Sequence, residues 1–365
     1  MTTTHEAGPL ARLGATATTN ESRAIIVGGA ALLVGFVVGF IVVGGRSLPI
    51  TGASSLGTFA AVVAAALTAV AFVVGYLLPA PGSRRRTHPE PTRWRLAINL
   101  AALALAHAAI TLLLLEGMSI VLADAFIGAE VYAFSSSLLI GIASALASYA
   151  AFLSASGMTT TRIATVLALY LVVGVMAAML STSDPQWWEK NISALGIGDD
   201  FSSWIFNVTL IVAGALITAI SVYLVTELRQ GRLARARQDA DDRAEAGRIR
   251  KLGTALVLLG VFLALVGVFP VSWIEWVHNT FATGLVVIFA GLVVGIRWIV
   301  PGLPEVFFIV GYLFLAVVVF ATVLFAVGIY NLTAMEIIGF ALIFGWLILL
   351  IRNISASGSD ARMPA

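Results

Sequence analysis

Ten apolar runs dominate the pattern of hydrophobic and polar positions along this chain. Each is close to the stretch of about 20 apolar residues that a helix needs to cross a bilayer. No polar segment between them is long enough to form a separate soluble domain. The pattern predicts an all-α fold, a polytopic bundle of about ten transmembrane helices. The runs are 24–44, 57–78, 96–119, 131–153, 163–181, 204–226, 252–269, 277–296, 305–328 and 335–351.

The positions of Lys and Arg predict the orientation of these spans. If the N-terminus lies inside, only Arg46 and Lys190 fall on the outer side, which leaves 19 of the 21 basic residues inside. Cytoplasmic loops of membrane proteins collect Lys and Arg. We therefore expect a multi-pass protein of the cell membrane with both termini in the cytoplasm. An odd number of spans would put the basic segments 84–95 and 229–251 on opposite sides of the membrane. Because basic loops collect on one side, an even number of spans is favoured.

Composition narrows the functional classes. The chain is 60% hydrophobic and 11% charged, whereas a soluble domain carries about 25% charged residues. The net charge of +2 comes from Arg in short loops, where topology explains it, so we expect no nucleic-acid partner. There is no Cys, which excludes disulfides and thiolate ligands. We predict no cofactor and no metal.

Three polar pieces are predicted to converge on the outer surface. They are the longest outer loop, 181–203, the opening of the eighth span around His278, and the end of the seventh span at 267–270. A His beside carboxylates can bind a ligand or relay protons. Nine acidic residues are predicted outside, and an acidic mouth attracts cations and cationic head groups. The candidate ligand-binding residues are His278, Asn279, Trp187, Trp188, Glu189, Ser193 and Asn207.

The same pieces resemble a bacterial membrane family called domain of unknown function 998. The matching elements are Ile192-Ser-Ala-Leu-Gly196, Phe206-Asn207, Gly267-Val-Phe-Pro270 and His278. Their order, spacing and predicted membrane side all match, and the resemblance covers roughly residues 157–352. It implies a six-span membrane domain whose biochemistry is unsettled.

The resemblance also divides the chain into domains. Residues 1–22 are predicted to be a disordered cytoplasmic tail, 23–156 an added four-span bundle, 157–352 the six-span domain, and 353–365 a second cytoplasmic tail. The polar segment 227–251 is rich in good helix formers. We interpret it as a solvated helical connector, with a regulatory or partner-binding role as the alternative.

His278 has three possible roles. It can hold the outer loop against the helix, bind a ligand or lipid head group, or act in catalysis with Glu275 and Asp184. Catalytic zinc sites favour several His ligands, and the predicted outer face has only His278. No Gly-x-Ser-x-Gly element is present.

Two further ionisable residues, His107 and Glu116, lie in the third predicted span. Such residues are functional candidates because charge at bilayer depth is costly. They are nine residues apart, about 13.5 Å along a helix, so a proton path between them needs an intermediate group. The alternative is a buried His107 that bonds a neighbouring Ser or carbonyl group.

These observations leave three functional hypotheses open. The first is a non-enzymatic protein that binds lipid or another amphipathic molecule at the outer leaflet. The others are a proton-coupled transporter and an outer-face intramembrane hydrolase. Membrane lipids are the expected partners, and the sequence identifies no protein partner. Small residues at Gly35 and Gly39, and at Gly291 and Gly295, predict close helix packing within the chain or in a homo-oligomer.

Overall fold

The computed structural model describes residues 9–78, 93–198, 200–235 and 242–360. Within these residues, ten helices are long and apolar enough to cross a membrane. The prediction of an all-α, multi-span membrane protein is therefore confirmed. The helices are α1 Pro9–Val43, α2 Leu56–Leu77, α3 Arg93–Ala125, α4 Ala133–Ser156, α5 Thr160–Ser181, α6 Phe201–Arg235, α7 Asp242–Val268, α8 Glu275–Ile299, α9 Glu305–Ala326 and α10 Leu332–Asp360.

Several helices are longer than the apolar runs that predict them. Helix α1 begins at Pro9, so it includes residues 9–22, which we expected to be disordered. That segment contains Ala, Leu, Arg and Glu, which continue a helix readily. Helices α6 and α7 likewise reach into the predicted connector. Residues 1–8, 236–241 and 361–365 of the predicted tails and connector lie outside the described part of the chain.

Small residues bring the helices of the first compact unit, which ends at Met158, into close contact. Helix α1 packs mainly on α4, and α2 packs on α3 and α4. A Cβ added at Gly35 would lie 2.7 Å from the Oγ of Ser144, and one at Gly141 would lie 2.8 Å from the Leu32 carbonyl oxygen. The small face of the first span is thus used for packing within the chain.

A two-residue ladder joins the loops of this unit. Strand β1, Leu48–Pro49, pairs antiparallel with β2, Glu130–Val131. Two glycines with positive φ, Gly44 and Gly45, turn the chain out of α1 toward β1.

The second compact unit begins at Thr159 and is organised around α6. This helix packs on α5 and α7, while α9 packs on α10, which also contacts α5. A Cβ at Gly260 of α7 would lie 2.6 Å from the Gly214 carbonyl oxygen of α6. By contrast, a Cβ at Gly291 of α8 would meet nothing within 4 Å. The contact between α6 and α7 therefore requires glycine. Among the described residues, Gly291 does not bring α8 into close contact with another helix.

Large apolar side chains are exposed on helices of both units. In a soluble protein an exposed apolar surface of this extent would be an aggregation liability, whereas on a membrane helix it faces lipid. Examples are Leu33, Ile41, Val172, Val287, Ile309 and Phe320.

Candidate functional site

The loop between α5 and α6 is held by side chains from three different helices. It contains two 3-10 helices, Trp187–Glu189 and Ile192–Gly196. Its residue Asp199 lies outside the described residues. The groups that hold it are the ring of His278 on α8, the carboxylate and amide of Glu336 and Asn331 at the start of α10, and the amide of Asn207 on α6.

His278 is the most buried of these side chains, with 3% of its surface exposed. Its Nδ1 lies 2.8 Å from the carbonyl oxygen of Phe269, and its Nε2 lies 2.9 Å from the Oγ of Ser193. A carbonyl oxygen can only accept, so Nδ1–H is the donor. In the neutral ring, Nε2 then accepts the hydroxyl hydrogen of Ser193. His278 thereby joins the α5–α6 loop to the end of α7.

Glu336 is a site residue that the sequence analysis did not single out. One oxygen of its carboxylate accepts the backbone N–H of Ile192 at 2.6 Å. Nearby, Asn331 donates from Nδ2 to the Trp188 carbonyl oxygen at 3.0 Å and caps α10 by accepting from Ala334 N–H. Its position in the tenth predicted run could have marked it, because an ionisable residue within a span is a functional candidate.

The elements that carry the family resemblance contact one another. Asn207 donates from Nδ2 to the carbonyl oxygen of Gly196 at 3.1 Å. A Cβ at Gly196 would lie 2.6 Å from the Asn207 Oδ1, and one at Gly267 would lie 2.5 Å from the Asn207 carbonyl oxygen. Glycine is therefore required at position 196, which lies against the Asn207 side chain, and at position 267, which lies against the Asn207 backbone.

Asp200 combines a structural and an electrostatic role. Its Oδ1 accepts the backbone N–H of Ser203 at 2.9 Å, which caps the start of α6, and its Oδ2 accepts the hydroxyl of Ser183 at 2.9 Å. The N–H of Ser203, and then the Ser183 hydroxyl, hold the pKa of Asp200 below its ordinary value. The carboxylate is therefore ionised at neutral pH.

Asp184 is ionised for a different reason. The ammonium group of Lys190, 2.8 Å from its Oδ2, and then the N–H of Gln186 lower the pKa of this carboxyl group. Lys190 is the one basic residue of the α5–α6 loop, and it is engaged in this ion pair.

A groove of about 660 Å³ lies beside the α5–α6 loop, between the start of α6 and the turn from α7 to α8. Its volume falls within the range of about 300–1,000 Å³ that is typical of small-molecule sites. One part of the wall is polar and another is apolar, so the groove is amphipathic. The lining residues are Gly196, Ile197, Gly198, Asp200, Ser203, Trp204, Asn207, Val208, Ile211, Pro270, Ser272 and Trp273.

The predicted binding residues divide between the groove and the loop contacts. Asn207 lines the groove, whereas His278 and Ser193 bond to each other and help to hold the loop. Trp187, Trp188, Glu189 and Asn279 are not among the lining residues, and all but Trp187 are exposed. Sequence proximity grouped them with the site, but the groove is built farther along the loop.

The candidate catalytic residues Glu275 and Asp184 do not hydrogen-bond to the ring of His278. Both ring nitrogens bond to Phe269 and Ser193, and neither bonds to Glu275 or Asp184. Across the described part of the chain, no group of three or more His, Cys, Asp or Glu residues could hold a metal ion.

In the first unit, His107 and Glu116 have separate partners. The Nδ1 of His107 lies 2.8 Å from the Leu103 carbonyl oxygen, and its Nε2 lies 3.0 Å from the Ser154 Oγ. Glu116 accepts the hydroxyl of Thr58 at 2.9 Å. No hydrogen bond joins the two residues directly. His107 is half-buried, and both of its ring nitrogens have a hydrogen-bond partner.

Comparisons with known proteins add no identification. No protein-family model matches the chain, and no curated protein or solved structure matches it either.

Proposed function

We propose that this protein binds a lipid or another amphipathic molecule, without enzymatic chemistry, in the groove beside the α5–α6 loop. In this proposal the groove opens at the outer leaflet of the cell membrane, both termini are cytoplasmic, and residues 157–352 form a domain of the family that they resemble. The observation that carries the proposal is the groove itself, because its wall changes from polar to apolar along α6.

The arrangement of the wall suits an amphipathic ligand. Asp200 supplies a carboxylate at the start of α6, and Val208 and Ile211 supply apolar surface two to three turns further along the same helix. Exposed Trp204 and Trp273 flank the groove. Trp is enriched at the membrane–water interface, where a head group and an acyl chain meet.

Photo-crosslinking in membranes tests the proposal. The probe is a phosphocholine lipid with a diazirine on its acyl chain, and labelled peptides are mapped by mass spectrometry. We expect adducts to concentrate in 196–211 and 270–273. Ser272→Trp should reduce that labelling severalfold, because Ser272 is exposed and lines the groove.

A matched control is Ser47→Trp, which places the same bulky ring at an exposed loop position of the first unit. It should leave the labelling pattern unchanged. Adducts spread evenly over lipid-facing helices, with no effect of Ser272→Trp, would refute binding in the groove.

A second candidate function rests on the contact between Ser193 and His278. A hydroxyl that donates to a neutral His is the arrangement of a serine nucleophile and its general base. This hydrolase hypothesis ranks second because His278 is buried, so a substrate would have to approach from the Ser193 side. Covalent labelling of Ser193 by a fluorophosphonate, lost in His278→Gln, would support it, and absence of labelling in the wild-type protein would reject it.

A further inference from the structure

We infer that the groove selects amphiphiles whose head group carries an ammonium cation, with the attached chain lying along α6. This inference rests on the proposed function and adds the chemical class of the ligand. Three observations carry it: the charge of the polar wall, the aromatic rings beside it, and the direction in which the wall becomes apolar.

The polar wall is negative. Asp200 is ionised, because it accepts hydrogen bonds from Ser203 and Ser183. Among the described residues that line the groove, none is Lys or Arg. The basic residue of the α5–α6 loop, Lys190, is paired with Asp184. An anionic head group would therefore meet a carboxylate with no Lys or Arg beside it among the described lining residues, whereas a cationic one would be attracted.

Two indole rings flank the same wall. Trp204 and Trp273 line the groove and are 64% and 73% exposed. The negative face of an indole ring attracts a cation within about 6 Å, and quaternary ammonium groups are recognised by aromatic rings. Trp204 lies four residues after Asp200, one helical turn away, so a ring and a carboxylate lie on the same side of α6.

The apolar part of the wall continues from these groups in one direction. Val208 and Ile211 follow Trp204 along α6, at spacings of four and three residues. They therefore form a stripe that runs toward the interior of the span. A single chain attached to the ammonium group fits this stripe, with the head at the loop and the chain within the membrane.

The experiment uses three photoactivatable 12-carbon probes that differ only in the head group: trimethylammonium, sulfate and maltoside. The full-length protein is held in nonionic micelles, and labelling of 196–211 is measured against probe concentration. We expect the ammonium probe to label the groove at concentrations at least about tenfold below those of the sulfate probe.

Asp200→Asn isolates the charge. Asn is also a good helix N-cap, so the bond to Ser203 N–H is kept while the negative charge is removed. We expect the preference for ammonium over maltoside to fall by about threefold to fivefold, the scale of an exposed ion pair. Glu130→Gln removes one negative charge from an exposed position of the first unit and should leave the preference intact.

The outcomes separate this inference from the proposed function. If all three probes label the groove equally, and Ser272→Trp blocks them all, the groove binds amphiphiles without selecting ammonium, and the inference fails alone. If no probe labels the groove above other lipid-facing peptides, the proposed function fails as well. A preference for ammonium that Glu130→Gln reduces as much as Asp200→Asn would assign the selection to the general negative charge of the protein surface, and the inference would fail.

Discussion

The two units satisfy their buried polar groups in different ways. In the first unit, polar side chains bond from one helix to another within the bundle. Thr111 of α3 donates to Thr68 of α2 at 3.3 Å, and His107 of α3 lies 3.0 Å from the Ser154 Oγ of α4. These contacts tie helices of the first unit together.

In the second unit some polar side chains also join helices, as Ser221 of α6 does by donating to the Gly253 carbonyl oxygen of α7, but others reach out from helix ends to one loop. His278, Glu336 and Asn207 each bond to a different point of the α5–α6 loop. A loop that is held at several points has a fixed shape, and the groove lies along its edge. The difference teaches that the second unit uses additional polar side chains to position a loop, and that the groove lies beside this loop.

The largest effect on stability is expected when His278, which holds the loop, is replaced and compared with a replacement of His107. Phe269 follows the last residue of α7, so its carbonyl lacks a helical partner and depends on His278. His278→Ala leaves that carbonyl and the Ser193 hydroxyl unsatisfied, and we expect a loss of about 2–4 kcal/mol in the free energy of unfolding. The measurement is thermal unfolding in nonionic detergent.

His107→Ala is the matched replacement in the first unit. The Leu103 carbonyl oxygen already accepts the helical N–H four residues ahead, so the loss should be smaller, at about 1 kcal/mol. Equal losses for the two variants would contradict the distinction between a histidine that holds a loop and one that joins helices.

Gly196→Ala should give an intermediate effect. The new Cβ would lie 2.6 Å from the Asn207 Oδ1 and 3.0 Å from the Phe206 ring. We expect destabilisation of about 1–3 kcal/mol from overpacking, with more rapid proteolysis of the α5–α6 loop. Gly29→Ala in α1, where a Cβ meets nothing within 4 Å, should instead be neutral or stabilising.

Acidification should loosen the α5–α6 loop by a smaller amount. Asp184 and Asp200 have pKa values lowered below the ordinary value of 3.8. Their contribution to stability is therefore complete above that value and is lost as pH falls through the lowered, folded-state pKa. Pepsin cleavage of the α5–α6 loop, relative to cleavage of the loop between α1 and α2, should rise below about pH 4.

The double variant Asp184→Asn and Asp200→Asn provides the comparison for acidification. Because neither side chain can be protonated in that range, its relative cleavage should vary less with pH. A wild-type protein and a double variant with the same pH profile would show that these carboxylates do not control the loop.

The spans were predictable because lipid imposes a length and an apolar composition on each helix. Asn207 was a binding candidate because it belongs to the Phe206-Asn207 element of the family resemblance, and it lines the groove. The meeting of the loop with the turn from α7 to α8 was predictable, whereas the particular residues of the groove wall, such as Ser272 and Trp273, were not, because they carry no sequence pattern of their own.

Glu336 shows a second limit of sequence reasoning. Its partner is the backbone N–H of Ile192, which no residue pattern marks. Conversely, Trp187 and Glu189 were grouped with the site because they are close to Ser193 in sequence. A 3-10 helix places neighbouring side chains on different sides, so proximity along the loop did not put them in the groove. The two-residue β ladder was too short to produce an alternating pattern.

The length of α6 has a mechanical consequence. Its 35 residues extend for about 52 Å, well beyond the hydrocarbon thickness of about 30 Å. One end carries Trp204 and Asn207, and toward the other Glu227 accepts the hydroxyls of Thr160 and Ser355. Since a continuous helix tilts as a rod, a change of tilt at the Trp204 end must also move Glu227 relative to α5 and α10.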